Sequence, residues 1–530
     1  MAYLFISLIT WLFYTSLRTK VSLHMLQQNL YNDDNRYIKW MRNNRTKIYE
    51  LTDLIPLFFA IIFLYINNNL FITITSFIIY LILTIINNNK RKKEIHKKPL
   101  VVTPRIKRII TTISLIYLLL LLIIMNNYNN NDLNNYIYLF IIMSYFQYYI
   151  VFIAVKINVP IEKMVYLHYF RKAKNKLKMM SNLKMIGITG SYGKTSSKNI
   201  LNDILSIKYN VLPTPKNLNT LYGMMITINN HLDKFTEIFI AELGAYKKGE
   251  IKELCDFVEP KYGILTKIGT AHLELFGSEE NIQEGKFELI ESLPLDGIGI
   301  LNGDDEKQVK YQLKNKCKIV WIGIDNKDVD VKASNIKVTY EGTRFNVIFK
   351  GDKNKYEFET KLLGYANVYN ILAGIALGKE FGITIPELQR AVKRVKAVEH
   401  RLELKKYLDI NIIDDAYNSN PVGAKMALDV LKMMPGKKII VTPGMIELGA
   451  KQYDYNKELG KQIASVCDEV ILVGKKLTIP IQDGLKESNY NNKNIHIIDD
   501  VKEAFTLMKK LKKDETYVLL ENDLPDIFNE

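Results

Sequence analysis

The run GITGSYGKTS at 187–196 is where residue type and spacing most directly suggest chemistry. It follows the β-rich KMIGIT (184–189) and precedes KNILNDILS (198–206), which has helical periodicity. Strand, glycine-rich turn, helix is the context a phosphate-cradling loop requires. Gly190 and Gly193 allow the backbone to curl so that its N–H groups face phosphate oxygens, and the helix N-terminus adds partial positive charge. Lys194 is placed to reach the β- and γ-phosphates and Thr195 to offer its hydroxyl to Mg²⁺, with Ser191 and Ser196 as neighbouring nucleotide contacts. The spacing departs from the strict GxxxxGK[ST] form: position 188 is Ile, and the glycine is Gly187. The expectation is a chain that uses ATP to drive a reaction.

Three other residues have types that suit such a site. Glu242 closes the strand-like EIFIAE (237–242), and a carboxylate at the carboxyl end of a strand facing the loop suits a Mg²⁺ ligand. His272 follows the strand-like GILTKIG (263–269). Taken singly it reads equally well as a structural histidine, because imidazole is an unusual Mg²⁺ ligand. Lys286 lies in the helical QEGKFELIESL (283–293) and taken singly reads as an exposed helix lysine. The three cysteines, Cys255, Cys317 and Cys467, are far apart and include no CxxC pair, which excludes a four-thiolate zinc site and favours buried free thiols.

The elements that must position these residues divide the 530-residue chain unevenly. Residues 1–184 carry 24 Lys+Arg and 7 Asp+Glu, a net +17, and residues 185–530 carry 48 and 49, a net −1. The whole excess of +16 therefore sits in the first third, and nucleic-acid binding by the remainder is not expected. Five apolar runs precede the loop, at roughly 1–17, 51–66, 70–86, 109–125 and 136–155, each about the length that crosses a bilayer as a helix. The first has its charges after the apolar stretch and no small-residue cleavage site, so it reads as a retained anchor. The connections at 18–50 and 87–108 are rich in Lys and Arg, whereas NNN (67–69) and NNYNNNDLNN (126–135) have none. The positive-inside rule then puts the N-terminus outside and everything from residue 156 onward in the cytoplasm of a multi-pass membrane protein. IEKMVYLHYFRKAKNKLK (161–178) mixes apolar and basic residues, as a segment on the inner membrane surface does. The expected organisation is a membrane domain of about five transmembrane helices (1–160), a juxtamembrane basic linker (161–180) and a soluble α/β part.

Beyond the loop, further motifs carry a resemblance. TGSYGKTS, TPKNLNT (214–220), IAELGAYKKGEI (240–251), TKIGTAHLELFGS (266–278), EGKFELIESLP (284–294), ILNGDDE (300–306), GYANVYNILAGIA (364–376), EHRLE (399–403), DDAYNSNP (414–421) and VTPGMIELG (441–449) follow in the order found in Mur ligases. Residues 181–530 thus resemble that family of ATP-dependent amide-forming enzymes of cell-wall precursor synthesis. DDAYNSNP and GMIELG look most like its D-alanyl-D-alanine-adding branch. The usual N-terminal domain that grips a UDP-sugar is not recognisable, apolar helices standing in its place. ENDLPD (521–526) replaces a usually basic motif, and Ala366 a usual His.

The resemblance implies a P-loop central ATP-binding domain (181–397) and a Rossmann-like C-terminal domain (398–530). It implies a substrate carboxylate phosphorylated by ATP to an acyl phosphate, which an amine then displaces. Glu242, with Thr195, would hold one Mg²⁺; His272 and a carbamylated Lys286 would hold a second. Asn302, Asn367, Arg401 and Asp415 would contact the nucleotide, while Asn370 reads as a local cap. Asn217, Asn219, Tyr417 and Asn418 would approach the substrate, with Asn420 shaping the closed site. The partners implied are a muramoyl-peptide-type carboxylate and an amine such as D-alanyl-D-alanine, with a lipid-linked precursor conceivable at the membrane. An archaeal pseudomurein peptide ligase, and a membrane protein regulated by a nucleotide domain, are the alternative expectations. In the C-terminal part, INIID, KKIIVT, EVILVG and TYVLLE read as strands, with helices near 421–433 and 453–467 between them.

Overall fold

The computed structural model describes residues 2–29, 31, 35–49, 54–55, 58–59, 62, 69–92, 99–126, 143–417, 419–446 and 448–523. The run expected at 51–66 falls largely outside these residues, as do the first seven residues of that at 136–155 and Asn418, while the rest of the latter run leads into the helix Gln147–Lys178. The chain forms two compact units, Met1–His168 and Tyr169–Glu530.

The described residues of the first unit are helical, with long helices at Ala2–Gln28, Asn69–Lys92 and Pro104–Asn126, and the helix Gln147–Lys178 begins there. Two stretches, Leu70–Lys90 and Pro104–Ile123, are long and apolar enough to cross a membrane. Only 29% and 17% of their apolar windows are buried, so most of the apolar surface faces outward, unlike the core helix of a soluble protein. Phe71, Ile74, Ile78 and Ile82 on the first, and Leu115, Leu119 and Leu122 on the second, are among the exposed side chains.

In the second unit, the end of the helix Gln147–Lys178 is held on the α/β body. Lys174 Nζ donates to Asp256 O at 2.9 Å and pairs with Glu259, Lys176 Nζ donates to Ile228 O at 3.0 Å, and the Phe170 and Phe257 rings lie 4.9 Å apart. The stretch expected as a basic linker is therefore helical, and two of its lysines are satisfied by protein rather than left for an anionic surface.

Two sheets follow. The strands of the first are β1 (Lys184–Thr189), β2 (Val211–Pro213), β3 (Ile238–Glu242), β4 (Tyr262–Leu265), β5 (Ile298–Asn302), β6 (Lys318–Gly323), β7 (Val331–Thr339), β8 (Gly342–Phe349) and β9 (Tyr356–Thr360). Their order is β2-β3-β1-β4-β5-β6-β7-β8-β9. β2 through β7 in that order run parallel, and β7, β8 and β9 form an antiparallel extension. Parallel neighbours need crossovers, supplied by helices such as Lys194–Leu205 and Glu279–Glu291. With helices on both faces, central strands are apolar almost throughout: Ile186 and Ile188 of β1 and Ile240 of β3 are fully buried. Each such side chain contributes about 1.5–3 kcal/mol of burial free energy.

The second sheet contains β10 (Glu403–Tyr407), β11 (Ile410–Asp415), β12 (Lys437–Thr442), β13 (Glu469–Val473), β14 (Ile495–Ile498) and β15 (Thr516–Glu521), in the order β10-β11-β15-β12-β13-β14. All but β10 are parallel to their neighbours. The expected strands and helices are present. The short β10 and β14, and the helices Ile479–Glu487 and Val501–Leu511, were not foreseen.

Both sheets reverse the direction of their connections near the centre: β1 sits between β3 and β4, and β15 between β11 and β12. Open α/β sheets form crevices at the carboxyl ends of strands flanking such a point. The first point collects the loops after Thr189, Glu242 and Leu265, and the second those after Asp415, Thr442 and Glu521.

Candidate active site

The glycine-rich turn leaves β1 and enters the helix Lys194–Leu205 at Gly193, whose φ of 81° serves the turn without a Cβ penalty. Gly190 has no alternative for a second reason: a Cβ there would lie 1.9 Å from Thr266 Oγ1. That threonine, at the end of β4, donates to Tyr192 O at 2.6 Å and clamps the turn. It was not singled out in the sequence, where it sits inside the strand-like GILTKIG and opens the TKIGTAHLELFGS motif.

The loop is held by more of its own donors than expected. The amides of Ser191 and Tyr192 both go to Lys267 O, and Ser191 Oγ donates to Gly269 O at 3.1 Å. Ser191 thus braces the turn through both its amide and its hydroxyl. The amides of Lys194, Thr195 and Ser196 open the helix, where no intrahelical acceptor exists, and they form the anion-facing set. Lys194 folds back, its Nζ donating to Gly190 O at 2.7 Å. Burial lowers its pKa from the usual lysine value, against the pull of Glu242.

Glu242 is buried at the end of β3 and gathers several of the expected residues. Its Oε1 accepts from Thr195 Oγ1 and from Asn219 Nδ2, each at 3.2 Å. Its Oε2 lies 3.0 Å from Lys198 Nζ, yet has no partner of hydrogen-bond geometry among the described residues. Lys198 is buried too, and its Nζ donates to Lys216 O at 2.7 Å, fixing the loop that carries Asn219. Lys198 was not foreseen: on the sequence it is one more polar residue on a helix, and only the fold shows it turned inward. Asn217, in the same loop, is exposed and makes only the backbone bond Asn219 N to Asn217 O.

Lys286 is 2% exposed, not the solvated helix lysine its context alone suggests. Its Nζ is 3.4 Å from Ala245 O and 5.1 Å from the Phe276 ring centroid. Burial, and then the Lys194 cation, push its pKa down to about 7. His272 is in the left-handed region (φ 59°) and packs edge-on against Tyr246 at 4.7 Å. Burial, then Lys194 and Lys286, depress its pKa to about 4, so the imidazole is neutral at pH 7 and keeps a lone pair for a ligand.

The residues expected at the nucleotide base are mixed. Asn302 Oδ1 is used locally, accepting from Asp304 N at 2.9 Å. Asn367, buried at the start of the helix Tyr365–Glu380, donates to Leu363 O at 2.9 Å. Asn370 was expected as a local cap. Instead its Oδ1 faces the phosphate loop, 3.8 Å from where a Cβ on Gly193 would be.

From the second sheet come Arg401, its guanidinium 4.3 Å from the Tyr417 ring centroid, and Asp415, at the end of β11. Arg401 is near enough to Lys194 to depress it further, which ties the two sheets' crevices together. Asp415 Oδ1 accepts from Leu402 N at 3.1 Å. Burial raises Asp415 to about 6, against the pull of Arg401. Its neighbour Asp414 points the other way, to His400 Nδ1 and Lys405 Nζ, each at 2.8 Å, and is structural. Asn420 caps the helix Pro421–Met433 by accepting from Gly423 N at 2.9 Å.

Hard oxygen donors at Thr195 and Glu242, with a buried carboxylate oxygen left without a hydrogen bond, suit a Mg²⁺ ion that takes its other ligands from phosphate and water. Among the described residues no group of three or more His, Cys, Asp or Glu forms a metal cage.

Comparison with known proteins bears on this geometry. A family model described as Mur ligase middle domain matches residues 188–378, and one described as Mur ligase, glutamate ligase domain matches 400–521. The UDP-N-acetylmuramoyl-tripeptide--D-alanyl-D-alanine ligase of Bacillus subtilis (strain 168) is 34% identical over 296 residues, 55% of this chain and 63% of that one. The Escherichia coli (strain K12) ligase of the same name is 32% identical, over 55% of this chain and 65% of its own. The chain therefore spans a little under two thirds of these relatives' length. Among solved structures, MurF ligase from Thermotoga maritima in complex with ADP matches with a TM-score of 0.60 and 26% identity, covering 68% of this chain and 80% of that one. A pseudomurein peptide ligase type C from Methanothermus fervidus shares the fold at a TM-score of 0.51 and 20% identity, covering 66% of this chain and 77% of that one.

Proposed function

The chain belongs to the Mur ligase family, through middle and C-terminal domains spanning 188–378 and 400–521, and on that premise we propose that it is an ATP-dependent amide-forming ligase of peptidoglycan precursor synthesis that joins D-alanyl-D-alanine, or a similar amine, to a muramoyl-peptide-type carboxylate. The observation that carries the reading is the convergence of Lys194, Thr195, Glu242, His272 and Lys286 at one crevice, on relatives that are named for this reaction. In the first step a carboxylate oxygen of the acceptor attacks the γ-phosphorus of ATP and ADP leaves. In the second, the amine nitrogen attacks the acyl carbon, phosphate leaves with the bonding pair, and the nitrogen gives up a proton. The chain's part is positioning and charge: the helix amides and Lys194 hold the transferring phosphoryl group, and Arg401 faces it from the second domain. Thr195 and Glu242 would hold Mg²⁺, which supplies positive charge against the phosphate oxygens.

Lys286 is suited to carbamylation. With a pKa near 7, a good fraction of the amine is neutral and able to attack CO₂, with loss of one proton. The resulting anion, with neutral His272, would hold a second Mg²⁺. Asp415, Tyr417 and Arg401 would close on the nucleotide from the second domain, and Asn217 and Asn219 would line the acceptor end. The apolar, outward-facing helices Leu70–Lys90 and Pro104–Ile123, with the alternation of basic and uncharged connections, support a multi-pass location in the cell membrane with the catalytic domains cytoplasmic. The anchor would keep the site near membrane-associated precursors.

The test is turnover by the full chain in nanodiscs, given ATP, Mg²⁺, UDP-N-acetylmuramoyl-tripeptide or its lipid-linked counterpart, and D-alanyl-D-alanine. Phosphate release dependent on both substrates, with a condensed product by mass spectrometry, is expected. No release with any peptidyl carboxylate and amine pair would refute the ligase reading.

A further inference from the structure

The second crevice contains a built feature that the reaction scheme above does not use. β15 ends at Glu521, abreast of Asp415 on β11, with β12 ending at Thr442 on its other side. Glu521 is 1% exposed. Its Oε1 accepts from Ser419 Oγ at 2.5 Å, while its Oε2 has no hydrogen-bond partner among the described residues. Neither Glu521 nor Asp415 has a described Lys, Arg or His within ion-pair distance, and Arg401, the cation whose field reaches both, stacks on Tyr417 instead.

The surroundings hold this carboxylate in place. Asn522 is in the left-handed region (φ 70°), which a short amide side chain tolerates. Its Oδ1 accepts from Ser419 N at 3.2 Å and its Nδ2 donates to Gly444 O at 2.7 Å. One side chain thereby ties together the loops after β11, β12 and β15 around the Glu521 oxygen. An unmatched buried carboxylate oxygen is costly to keep for stability alone, because every alternative at that atom that is apolar or paired is cheaper. Burial, and then the neighbouring Asp415 carboxylate, push the Glu521 carboxyl well above its usual pKa, a strain that a positively charged donor entering the crevice relieves. A crevice at a sheet's reversal point is where such a ligand docks.

We propose that Glu521 is the anchor for the ammonium end of the incoming amine donor, and so a specificity-determining residue for the second substrate. The proposal rests on the ligase reading for the identity of the donor, but the binding event itself does not need turnover. An ammonium fits because it brings several N–H donors and a charge to Glu521 Oε2 and to the neighbouring Asp415 carboxylate, whose charge adds to the burden of burial on Glu521. A donor presenting a carboxylate at this point would be repelled.

The experiment measures binding to the full chain in nanodiscs, with Mg²⁺ and a non-hydrolysable ATP analogue, by calorimetry. The probes are D-alanyl-D-alanine, D-alaninamide and N-acetyl-D-alanyl-D-alanine. Wild type should bind the two free amines, and the N-acetyl compound should bind at least ~10-fold more weakly, as loss of a charge-assisted bond predicts. The isosteric Glu521→Gln, which retains the Ser419 bond at Oε1, should weaken the free amines by about 10-fold while leaving the nucleotide analogue within about two-fold. The comparison of free with acetylated probe uses unaltered protein and so does not depend on how the variant folds. Equal binding of free and acetylated probes, equal binding to wild type and variant, a loss confined to the nucleotide, or no binding of either amine to wild type would each overturn the assignment. Phosphate release measured in parallel separates the two ideas. Turnover with an amine KM that Glu521→Gln does not change sinks this proposal alone. Glu521-dependent amine binding without any turnover supports it and sinks the ligase reading.

Discussion

The two sheets make the same kind of crevice and fill it with opposite charge. At the first reversal point Lys194 and Lys198 act on a single buried carboxylate, Glu242, and Lys286 adds a third lysine close enough for Lys194 to lower its pKa. At the second, a half-buried carboxylate, Asp415, and a buried one, Glu521, lie within the field of a single arginine, Arg401. The backbone scaffold is nearly identical: parallel strands on either side of the reversal, loops at their carboxyl ends. Charge at the loop and strand termini, rather than fold, therefore sets which ligand each crevice takes. A cationic crevice fits phosphate; an anionic one fits ammonium. A reaction that condenses a phosphorylated acid with an amine needs one of each.

The largest effect should come from breaking the cationic crevice at its centre. Lys194→Ala and Glu242→Gln are each expected to lower kcat by on the order of 10³-fold, the scale for losing a preorganised charge at a transferring phosphoryl group. Steady-state phosphate release reads this directly. If Glu242→Gln turned over within a few-fold of wild type, Glu242 would not be a metal ligand.

Lys286 should come next, and its dependence on pH has a definite sign. The amine must be neutral to accept CO₂, so with a pKa near 7 activity should fall as pH drops below 7 and rise as it increases through that value. Added bicarbonate should restore part of the activity at pH 6.5, and ¹³C-labelled CO₂ should give a carbamate signal that Lys286→Arg lacks. A pH profile flat from 6 to 8 and indifferent to bicarbonate would remove the carbamate from the scheme.

Much of this contrast could be read from the sequence, and the part that could not has a physical explanation. Lys194 and Thr195 stand in a loop whose spacing alone implies phosphate binding, and Glu242 ends a run so apolar that it had to be a central strand. These signals are local in the chain. Lys198 and Glu521 carry none: a lysine on an amphipathic helix and a glutamate ending a strand are ordinarily solvated. Their burial depends on which strands become neighbours, a long-range property that periodicity does not encode. Ser191 differs in the opposite way. Its place in the motif suggests a phosphate contact, and the fold also gives its amide and hydroxyl to the carbonyls of Lys267 and Gly269, which the motif alone does not reveal. The membrane part is legible as composition: the first run forms the long helix Ala2–Gln28, and two of the other four coincide with helices both long and apolar enough to cross a membrane among the described residues.

Lys198 is the sharper test of how the first crevice is built. It acts through Glu242, with which it pairs at 3.0 Å, and is therefore a positioning residue. Lys198→Met leaves a buried carboxylate with no cation at its Oε2, and removal of one partner of a buried pair costs about 3–5 kcal/mol. The melting temperature should drop accordingly. The same variant should raise the Mg²⁺ concentration needed for half-maximal activity, or lower kcat, with KM for the amine unchanged. Lys198→Arg should recover part of both losses if charge at that point matters. A stability loss without any change in Mg²⁺ dependence would make Lys198 a structural residue only.

The smallest effect tests the second crevice through stability. Burial raises the Asp415 carboxyl to about 6 from an unfolded value near 3.8. A raised folded pKa means that the native state holds the proton more tightly than the unfolded one. Asp415 therefore costs no stability below about pH 3.8, and an increasing amount as pH rises through 6. Asp415→Asn removes that cost, so its melting temperature at pH 7.5 should exceed wild type, by roughly 2–4 °C for each kcal/mol removed in a domain of 150–250 residues. At pH 4 the two should coincide. Turnover should fall in the same variant if that charge meets a ligand in the crevice. A variant neither more stable at pH 7.5 nor slower would mean that Arg401 already neutralises Asp415 in the fold. The anionic crevice would then consist of Glu521 alone.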